Sequence, residues 1–399
     1  MLRRLYVDNF RCLVNFECQL ATQQLILGPN GSGKSTLFDV LALIRDFCAY
    51  GGSPVDRFGN RSRTRWQDGP QQTFEMDVEG NGGIYKFRLV MGMLGERVNP
   101  NVVEEEVTFS GKPLFSFKNN MVSLFDDRDR VEVQYPFDSS HSALATIMAS
   151  GNRTKLEWFR RWLDGLLIVS PDPQRMSGIA ENDENVSHPD MFLGDFGDWY
   201  RYVKQRQATQ DLGYVADLKE VIEGLVSVDF EDAGARRREM KIRTTSTSAE
   251  DSELRDVVAD GIRRHVTARS GEDWELRDRS YLLGEMSEGQ RVLIGLYAVL
   301  HFALKPGTTV CFDEPDNFIA LREVLPWLTK VLDHVDDHET GAQVLIASHH
   351  PELLNYMAFR NGLVLDRPDG RNTECRAFSD PAKTGLTAAE LVARGWDGE

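Results

Sequence analysis

A glycine-rich turn near the start of the chain has the residue types and the spacing that bind phosphate. The segment LILGPNGSGKST contains Gly28 and Gly33, the latter followed directly by Lys34 and Ser35. An apolar strand precedes the turn, and apolar residues at helical spacing follow it. In this context the glycines let backbone N–H groups surround a phosphate chain, and the positive end of the following helix points at it. The pattern predicts a nucleotide site in which Lys34 reaches the β- and γ-phosphates and Ser35 binds Mg²⁺. The residues predicted to contact the nucleotide are Asn30, Gly31, Ser32, Gly33, Lys34, Ser35 and Thr36.

Two later strand ends carry groups suited to acid–base chemistry on a phosphate. The run TTVCFDEP predicts a buried strand that ends in Asp313 and Glu314. In these places Asp313 can hold Mg²⁺ through water opposite Ser35, and Glu314 can act as general base on an attacking water. The run QVLIASHHP predicts a second buried strand, which ends in His349 and His350. We favour His349 as the residue that positions the water, and His350 stays open as the alternative.

A third polar turn, GEMSEGQR, opens a long apolar helix. Its Ser287, Gly289 and Gln290 offer a hydroxyl, free backbone N–H groups and an amide, which suit a γ-phosphate. The same turn suits an ordinary helix start in which Ser287 is the N-cap. Taken alone, the turn is better explained as a helix cap. Its place between the phosphate-binding turn and the two strand ends is what favours the phosphate interpretation.

The composition excludes several classes of protein. The 399 residues are 41% apolar and 27% charged, which is the balance of a globular chain rather than a disordered one. No apolar run approaches the about 20 residues that a membrane helix needs, and the start MLRRLYVDNF lacks the apolar region of a secretory signal. The five cysteines form no CxxC pair, so neither a zinc ribbon nor a disulfide framework is expected. We therefore expect a cytoplasmic protein without membrane contact.

The net charge of −16 opposes non-specific binding to nucleic acid or to anionic lipid. Two clusters of basic residues differ from this average and are candidates for a local groove. The first cluster consists of Arg57, Arg61, Arg63 and Arg65. The second consists of Arg236, Arg237, Arg238, Lys241 and Arg243. Taken alone, each cluster is more simply explained as a solvated surface than as a nucleic-acid site.

Four segments, in this order along the chain, resemble those of ABC-type ATPase heads. The resemblance is closer to the RecF/SMC/OLD branch and its stand-alone bacterial AAA_21-type ATPases. LYVDNFRCL resembles the N-terminal strand and turn of RecF and SMC heads, and GPNGSGKST resembles their phosphate-binding loop, or P-loop. LGEMSEGQRVLIGLYAVL resembles the signature helix, and DEPDN with ASHHPELL resembles the Walker B and switch-histidine segments. These segments cover roughly residues 1–45 and 280–360, and the middle of the chain resembles the branch in layout only.

The resemblance implies a fold, cofactors and an assembly. The fold is α/β, an ABC-type P-loop NTPase head with a mixed central sheet, an antiparallel β layer in lobe one and a mainly helical insertion. The cofactors are ATP and Mg²⁺, the activity is slow ATP hydrolysis, and the assembly is a homodimer that holds ATP between two chains. By the same resemblance Gln71 or Gln72, with Gln67 as a third candidate, is the Q-loop glutamine, and Arg57 reaches nucleotide or DNA.

The chain also departs from the branch. The signature reads MSEGQ rather than LSGGQ, and residues 316–321 replace the Glu-x-His-Leu-His-Pro of OLD-type proteins, so the D-loop contact across a dimer stays open. The Toprim domain of OLD nucleases has too little room in residues 350–399, so we expect this chain not to be the nuclease itself. No sustained heptad repeat predicts the long arms of SMC proteins.

The chain divides into three predicted parts. Residues 1–150 form ATPase lobe one, in which the stretch 72–135 alternates short strands with Gly- and Asn-rich turns and predicts an antiparallel meander. Residues 151–280 form a mainly helical insertion with a hairpin, the predicted contact region for a partner or for DNA. Residues 281–399 form ATPase lobe two, with the signature helix, the Walker B strand, the switch histidine and a C-terminal tail.

Two functions agree with these features. In the first, an ATP-dependent dimer engages duplex DNA in repair or in bacterial defence against phage. In the second, an ATP-gated regulatory subunit holds and releases an effector, such as a nuclease or toxin encoded nearby, and binds no DNA itself. The net charge of −16 favours the second. A transporter ATPase subunit is a third interpretation, which the long middle region and the LYVDNFRCL start oppose.

Overall fold

Strands dominate the first part of the chain, and helices separate the strands in the rest. The structure, a computed structural model, describes residues 1–59, 61–94, 99–181, 186–245, 278–336, 341–380 and 383–395. Its strands are β1 (Leu2–Asp8), β2 (Phe16–Gln19), β3 (Gln23–Leu27), β4 (Gln71–Gly80), β5 (Gly83–Leu94), β6 (Asn99–Phe109), β7 (Lys112–Lys118), β8 (Met121–Phe125), β9 (Val131–Pro136), β10 (Leu166–Val169), β11 (Ile179–Ala180), β12 (Leu225–Asp232), β13 (Arg238–Thr245), β14 (Asp278–Leu282), β15 (Thr309–Asp313), β16 (Gln343–Ala347), β17 (Gly362–Asp366) and β18 (Glu374–Ala377). Its helices are α1 (Lys34–Ala49), α2 (Pro54–Arg57), α3 (Thr154–Asp164), α4 (Phe196–Arg206), α5 (Ala208–Val221), α6 (Glu288–Phe302), α7 (Leu321–Asp336), α8 (Pro351–Asn361) and α9 (Ala388–Arg394).

The chain forms two compact units, Met1–Ser170 with Ala303–Glu399, and Pro171–Phe302. The boundaries expected at 150 and 280 do not coincide with this division. Helix α3 and strand β10 lie in the first unit because β10 pairs with β15. Helix α6 lies in the second unit, where it packs against α5. The three-part division of the chain stays a prediction, and residues 246–277 of the expected insertion lie outside the described residues.

A mixed six-stranded sheet brings the predicted chemical groups to one edge of the first unit. The strand order is β10-β15-β16-β3-β17-β18, and every neighbouring pair is parallel except β17 with β18. Strands β3, β15 and β16 are buried along their whole length, as expected for parallel strands covered on both faces. The carboxyl ends of parallel strands share one edge of a sheet. The P-loop after β3, the acidic pair at the end of β15 and the histidines after β16 therefore leave from the same edge.

An antiparallel sheet of eight strands accounts for most of the rest of the first unit. Its order is β2-β1-β4-β5-β6-β7-β8-β9, which confirms the antiparallel meander that the sequence predicts. Asn81 and Gly82 both have positive φ between β4 and β5, and Asn119 and Asn120 both do so between β7 and β8. Two consecutive left-handed residues match the right-handed twist of the flanking strands, which explains Asn and Gly at these tips.

The second unit combines helices α4, α5 and α6 with a small antiparallel sheet. Strand β13 pairs with β11, β12 and β14. The helices enclose an aromatic core, in which Tyr200 and Tyr214 lie against Phe302. The Tyr214 hydroxyl donates to the carbonyl of Ile294 in α6 over 3.2 Å. Helices α4 and α5 agree with the predicted helical insertion, and the antiparallel pair of β13 with β14 agrees with the predicted hairpin, which here belongs to a sheet that also contains β11 and β12.

No helix within the described residues has both the length and the apolar composition that crossing a membrane requires.

Candidate nucleotide-binding site

The glycines of the P-loop are required by backbone conformation and by close packing behind the loop. Gly28 and Gly33 have φ values of 147° and 111°, in the region that favours glycine. A Cβ at Gly28 would lie 2.0 Å from the carbonyl oxygen of Leu365, and one at Gly33 would lie 2.8 Å from the Thr373 hydroxyl. Gly31 differs, because a Cβ there would have no neighbour within 4 Å. The loop is therefore packed against β17 and the segment before β18 at its back and open at Gly31.

Helix α1 starts directly from this loop and aims its N-terminus at the phosphate site. Its buried face is made of apolar residues at helical spacing, including Leu37, Leu41 and Ile44. Because the first N–H groups of a helix have no partner within the helix, this end attracts anions. The local sequence thus predicts both the helix and the direction in which it points.

Lys34 lies across the P-loop instead of reaching into solvent. Its side chain is 5% exposed, and Nζ donates to the carbonyl oxygens of Gly28 over 2.9 Å and Pro29 over 3.3 Å. Burial lowers the pKa of Lys34, while the carboxylates of Glu314 and Asp313 act in the opposite direction. The cation is therefore held at the centre of the loop, where phosphate oxygens can replace the carbonyl acceptors.

Asp313, at the edge of the sheet, is a carboxylic acid with a strongly raised pKa. It is 6% exposed, and burial raises its pKa to about 6. The carboxylates of Glu314 and Asp39 contribute to this rise in pKa, whereas a hydrogen bond from Ser35 and the charge of Lys34 oppose it. The ionised carboxylate is therefore under-compensated by its protein surroundings.

The oxygen atoms around Asp313 fit a hard divalent cation. Within the described residues, Asp313 Oδ1 is buried and has no hydrogen-bond partner. Carboxylate and hydroxyl oxygens, together with phosphate oxygens and water, are the ligands that Mg²⁺ prefers. Among the described residues, no group of three or more His, Cys, Asp and Glu side chains is arranged to hold a metal ion. A cation at Asp313 and Ser35 would therefore take its other ligands from a nucleotide and from water.

A left-handed backbone conformation sets the direction of the Glu314 side chain. Its φ is 49°, and its N–H donates to the carbonyl of Ala347 at the end of β16 over 2.8 Å. The side chain accepts a hydrogen bond from Asn317 over 2.9 Å, and Oε1 lies 3.8 Å from His349 Nε2. Left-handed backbone is costly for a residue with a side chain and persists where the surroundings impose it. The carboxylate is thereby fixed between Asn317 and His349.

The two histidines after β16 have different surroundings. His349 lies near Glu314 and Lys34, and burial followed by the charge of Lys34 lowers its pKa. His350 instead caps α8, since its Nδ1 accepts the N–H of Glu352 over 3.2 Å. This geometry favours His349 as the water-positioning residue and gives His350 a structural role. The sequence alone leaves the two open, because both follow the same strand.

The glutamines predicted for the Q-loop differ in their surroundings, and their role at the nucleotide stays a prediction. Gln72 is fully buried, and its amide donates to the carbonyls of Asn9 over 2.9 Å and Ser62 over 3.3 Å. Gln71 begins β4 with an exposed side chain. Gln72 thus ties β4 to the N-terminal turn, and the hydrogen bonds of both residues give no support to a role at the nucleotide.

Gln174 is a candidate that the sequence interpretation missed. It follows β10 in the chain and belongs to the second unit. Its amide donates to the carboxylate of Glu288 in the first turn of α6, and Pro173 accepts a hydrogen bond from Arg291 of that helix. A buried apolar strand followed directly by a polar segment containing glutamine is the signal that identifies it.

The signature turn is a capped helix start in this structure. The Ser287 hydroxyl accepts the N–H of Gln290 over 3.2 Å, and the Gln290 side chain accepts the N–H of Ser287 over 3.1 Å. This reciprocal pair is a capping box. The role of Ser287, Gly289 and Gln290 on a γ-phosphate stays a prediction.

A cavity of about 480 Å³ runs along one side of α1. Arg57 donates to Asp46 over 2.9 Å in its wall, and Arg11 is paired with Asp39. The aromatic and charged residues that line the cavity are Phe10, Arg11, Asp39, Asp46, Arg57 and Arg61. The arginine that the resemblance associates with nucleotide or DNA is therefore neutralised by α1.

Much of the second basic cluster is also neutralised locally. Arg237 pairs with Glu239 over 2.9 Å, Arg238 with Asp232 over 2.8 Å, and Arg243 with Glu231 over 3.1 Å. Two of these pairs, Arg238 with Asp232 and Arg243 with Glu231, link β13 to β12, whereas Arg237 pairs with a residue two positions further along the chain. They reduce the positive potential that a nucleic-acid backbone would meet.

Comparison with known proteins agrees with the geometry. A curated relative, the OLD nuclease of Thermus scotoductus (strain ATCC 700910 / SA-01), is 46% identical over 44 residues, which are 11% of this chain and 8% of the relative. The match therefore spans less than a tenth of that protein's length.

Two solved structures have a similar chain course. The SMC head domain from Thermotoga maritima is 13% identical with a TM-score of 0.46, covering 95% of this chain and 99% of that one. The SmcHead in a crystal structure bound to the C-winged helix domain of ScpA is 12% identical with a TM-score of 0.48, covering 95% and 98%. Neither likeness carries information on what this chain binds.

A family model described as "AAA domain, putative AbiEii toxin, Type IV TA system" matches residues 25–91 and 95–355. The matched residues include the P-loop, the signature turn, the acidic strand end and the histidines. Because the match covers well over half of the chain, the chain belongs to the AAA_21 family.

Proposed function

We propose that the chain binds and hydrolyses ATP and uses the nucleotide as a switch. The observation that carries the proposal is the buried, under-compensated carboxylate of Asp313 beside Ser35 and Lys34 at the mouth of the P-loop. A buried ionised carboxylate lowers the stability of the fold unless a ligand compensates its charge. A divalent cation is a ligand that would do so. Family membership supports the same chemistry.

In this proposal each residue has a defined task. Backbone N–H groups of residues 30–36 bind the phosphates, Lys34 carries charge to them, and Ser35 and Asp313 hold Mg²⁺. The ion would supply neutralisation of phosphate charge. Glu314 accepts the proton of the attacking water, and His349 orients that water from the other side. Glu314 Oε1 and His349 Nε2 lie 3.8 Å apart, close enough for one water molecule to contact both side chains.

The cavity beside α1 is the proposed place for the nucleoside. Its lining includes Asp39, which lies one helical turn beyond Ser35 in α1. Its volume of about 480 Å³ is in the range of small-molecule sites. Arg57 and Arg11 would exchange their aspartate partners for ligand oxygens, which keeps Arg57 as a proposed contact.

The proposed switch is an ATP-dependent homodimer. Ser287, Gly289 and Gln290 would meet the γ-phosphate held by a second chain, so that ATP joins two copies. The Ser287 oxygen accepts the N–H of Gln290 within its own helix, and its O–H would donate to a phosphate oxygen. Hydrolysis would then release the pair.

We propose a protein effector as the main target of the switch, such as a nuclease or toxin encoded nearby. The net charge of −16 and the local pairing of Arg57, Arg237, Arg238 and Arg243 support a weak interaction with nucleic acid. Duplex DNA is the second candidate, since the structure gives Arg61, Arg63 and Arg65 no carboxylate partner among the described residues. Either target places the chain in genome maintenance or defence against phage.

ATP turnover by the purified chain tests the proposal. We expect Mg²⁺-dependent hydrolysis that Lys34→Ala abolishes, because the variant loses the cation at the phosphates. Normal turnover by Lys34→Ala would overturn the assignment of the site. Turnover is then measured with linear duplex DNA at low and raised salt. Indifference to DNA supports a protein target, whereas stimulation that fades with salt supports DNA as the direct ligand.

A further inference from the structure

The turn between β17 and β18 places an arginine against the P-loop at Gly31. Arg367 Nη1 donates to the carbonyl of Gly31 over 3.1 Å, and Nε donates to that of Arg371 over 2.9 Å. Nη2 donates to the carbonyl of Gly370. The guanidinium is thus held beside the P-loop residue that is open on its other side.

Trp66 keeps this guanidinium in place. Its ring centroid lies 5.6 Å from Arg367 Cζ, and its indole N–H donates to Asn372 of the same turn over 2.8 Å. Stacking on an aromatic ring restricts the arginine to few orientations. Less conformational entropy is therefore lost when the guanidinium takes a ligand.

The positive charge of Arg367 is not compensated by a nearby carboxylate, unlike that of the other arginines near the site. Arg11 is paired with Asp39 and Arg57 with Asp46, but within the described part of the chain Arg367 has no carboxylate at ion-pair distance. Its acceptors are neutral carbonyls, which bind a guanidinium more weakly than a phosphate oxygen does. Exchange of the Gly31 carbonyl for a phosphate oxygen is therefore favourable.

The charge of the site requires such a cation. Lys34 is the positive side chain within the P-loop, and Asp313 with Glu314 contributes two carboxylates next to it. A nucleotide triphosphate adds more negative charge than one lysine can neutralise, even together with one divalent ion. Arg367 supplies the additional positive charge from the same chain.

We propose that Arg367 is a phosphate-binding residue, which leaves the Gly31 carbonyl and binds the phosphate chain of the nucleotide at the P-loop. The proposal rests on the proposed ATP site and adds a contact from the turn between β17 and β18. Trp66 and Asn372 act as positioning residues, because they hold the turn and the guanidinium beside Gly31.

Mg-ATP binding to variants of the full chain tests this assignment. Arg367→Ala should weaken binding about tenfold or more, the effect of losing one charge-assisted hydrogen bond. Arg367→Lys should retain most of the affinity, since a lysine keeps the charge. Arg371→Ala removes an exposed arginine from the same turn and should bind Mg-ATP within about twofold of the unchanged chain, a ratio set by the screening of exposed charges.

Two results would overturn the proposal. One is binding by Arg367→Ala equal to that of the unchanged chain. The other is equal weakening of Mg-ATP binding in Arg367→Lys and Arg367→Ala, with both variants melting at a lower temperature without nucleotide. That result would mean that Arg367 supports the turn through its contacts with several carbonyls, which lysine cannot replace. Lys34→Ala separates this failure from that of the ATP site itself. If Lys34→Ala also binds Mg-ATP normally, the site assignment is wrong, and otherwise the role of Arg367 alone is wrong.

Tryptophan emission gives a second readout. If Arg367 shifts over Trp66 as it passes from the Gly31 carbonyl to a phosphate, Mg-ATP should change the indole emission of the unchanged chain. This change should be smaller in Trp66→Phe and in Arg367→Ala. An identical response of all three proteins would contradict the movement of Arg367.

Discussion

At the scale of single residues, the polar groups at the edge of the central sheet are individually unfavourable and collectively suited to a ligand. Glu314 has left-handed backbone, Asp313 is a buried carboxylate with a partnerless oxygen, and Lys34 is a buried cation. Each feature costs folding free energy. Such costs cluster at functional sites because ligand binding offsets them.

Asp313 provides the first prediction, on stability against pH. Its pKa is about 6 in the folded chain, whereas an unfolded aspartate titrates near about 4. The folded state therefore binds this proton more tightly, and stability without Mg²⁺ should fall as pH rises from about 4 to about 6, by up to about 3 kcal/mol. Asp313→Asn lacks this loss, so it should melt at a higher temperature than the unchanged chain at pH 8 in EDTA.

Thermal melts between pH 5 and pH 8 measure this difference, with the exposed Asp333→Asn as control. The control should follow the unchanged chain throughout. A lower melting temperature for Asp313→Asn at pH 8 in EDTA would contradict the view that the ionised carboxylate is under-compensated. Asp313→Asn should also lose the stabilisation that Mg-ATP gives, since a neutral amide is a poor Mg²⁺ ligand.

At the scale of elements, helix α6 begins with a cap that has two proposed uses. Ser287→Ala removes the capping hydroxyl and should lower the free energy of unfolding by about 1 kcal/mol. Ser287→Asp keeps a capping oxygen, so its stability should match that of the unchanged chain. Its carboxylate would repel a γ-phosphate, however, so ATP-dependent dimerisation should be lost.

Light scattering combined with thermal melts separates the two uses of Ser287. Dimerisation of Ser287→Asp equal to that of the unchanged chain would mean that this residue is a helix cap and nothing more. Loss of dimerisation in a normally stable Ser287→Asp supports the second use.

The segment after β10 gives a prediction on glutamines. Gln174→Ala should lower ATP turnover about tenfold or more, if Gln174 orients the reacting groups. The melting temperature should not fall, because the exposed Gln174 side chain is not packed in the core. Gln72→Ala should do the reverse, since it leaves two carbonyls without partners in a buried place. Gln71→Ala, at an exposed position, is the matched control. Equal turnover in Gln174→Ala and the unchanged chain would remove Gln174 from the site.

The elements also show what a sequence can and cannot predict. The strand–loop–helix around Lys34, the strand that ends in Asp313 and the Asn81-Gly82 hairpin follow from local residue patterns, and the structure has them. The place of Arg367 beside Gly31 does not, because it depends on strand β17 pairing with β3 from the far end of the chain. Local patterns also cannot assign His349 and His350, whose difference lies in backbone direction after β16.

At the scale of the whole molecule, charge and pairing favour a switch that acts on a protein. A chain of net charge −16 that neutralises many of its arginines internally presents little attraction to a phosphate backbone. The family match covers both the P-loop and the signature turn, which two copies of the chain would bring together around ATP. The central claim is therefore that ATP joins two chains until Glu314 promotes its hydrolysis.

The most direct test is the molar mass of Glu314→Gln in solution with and without Mg-ATP, measured by light scattering. The variant keeps the size of the side chain but cannot accept the proton of water, so its turnover should fall about 100-fold or more while ATP still binds. We expect a dimer with Mg-ATP, a monomer without it, and a monomer in both conditions for the double variant that adds Lys34→Ala. A molar mass of Glu314→Gln that does not respond to Mg-ATP would contradict this expectation.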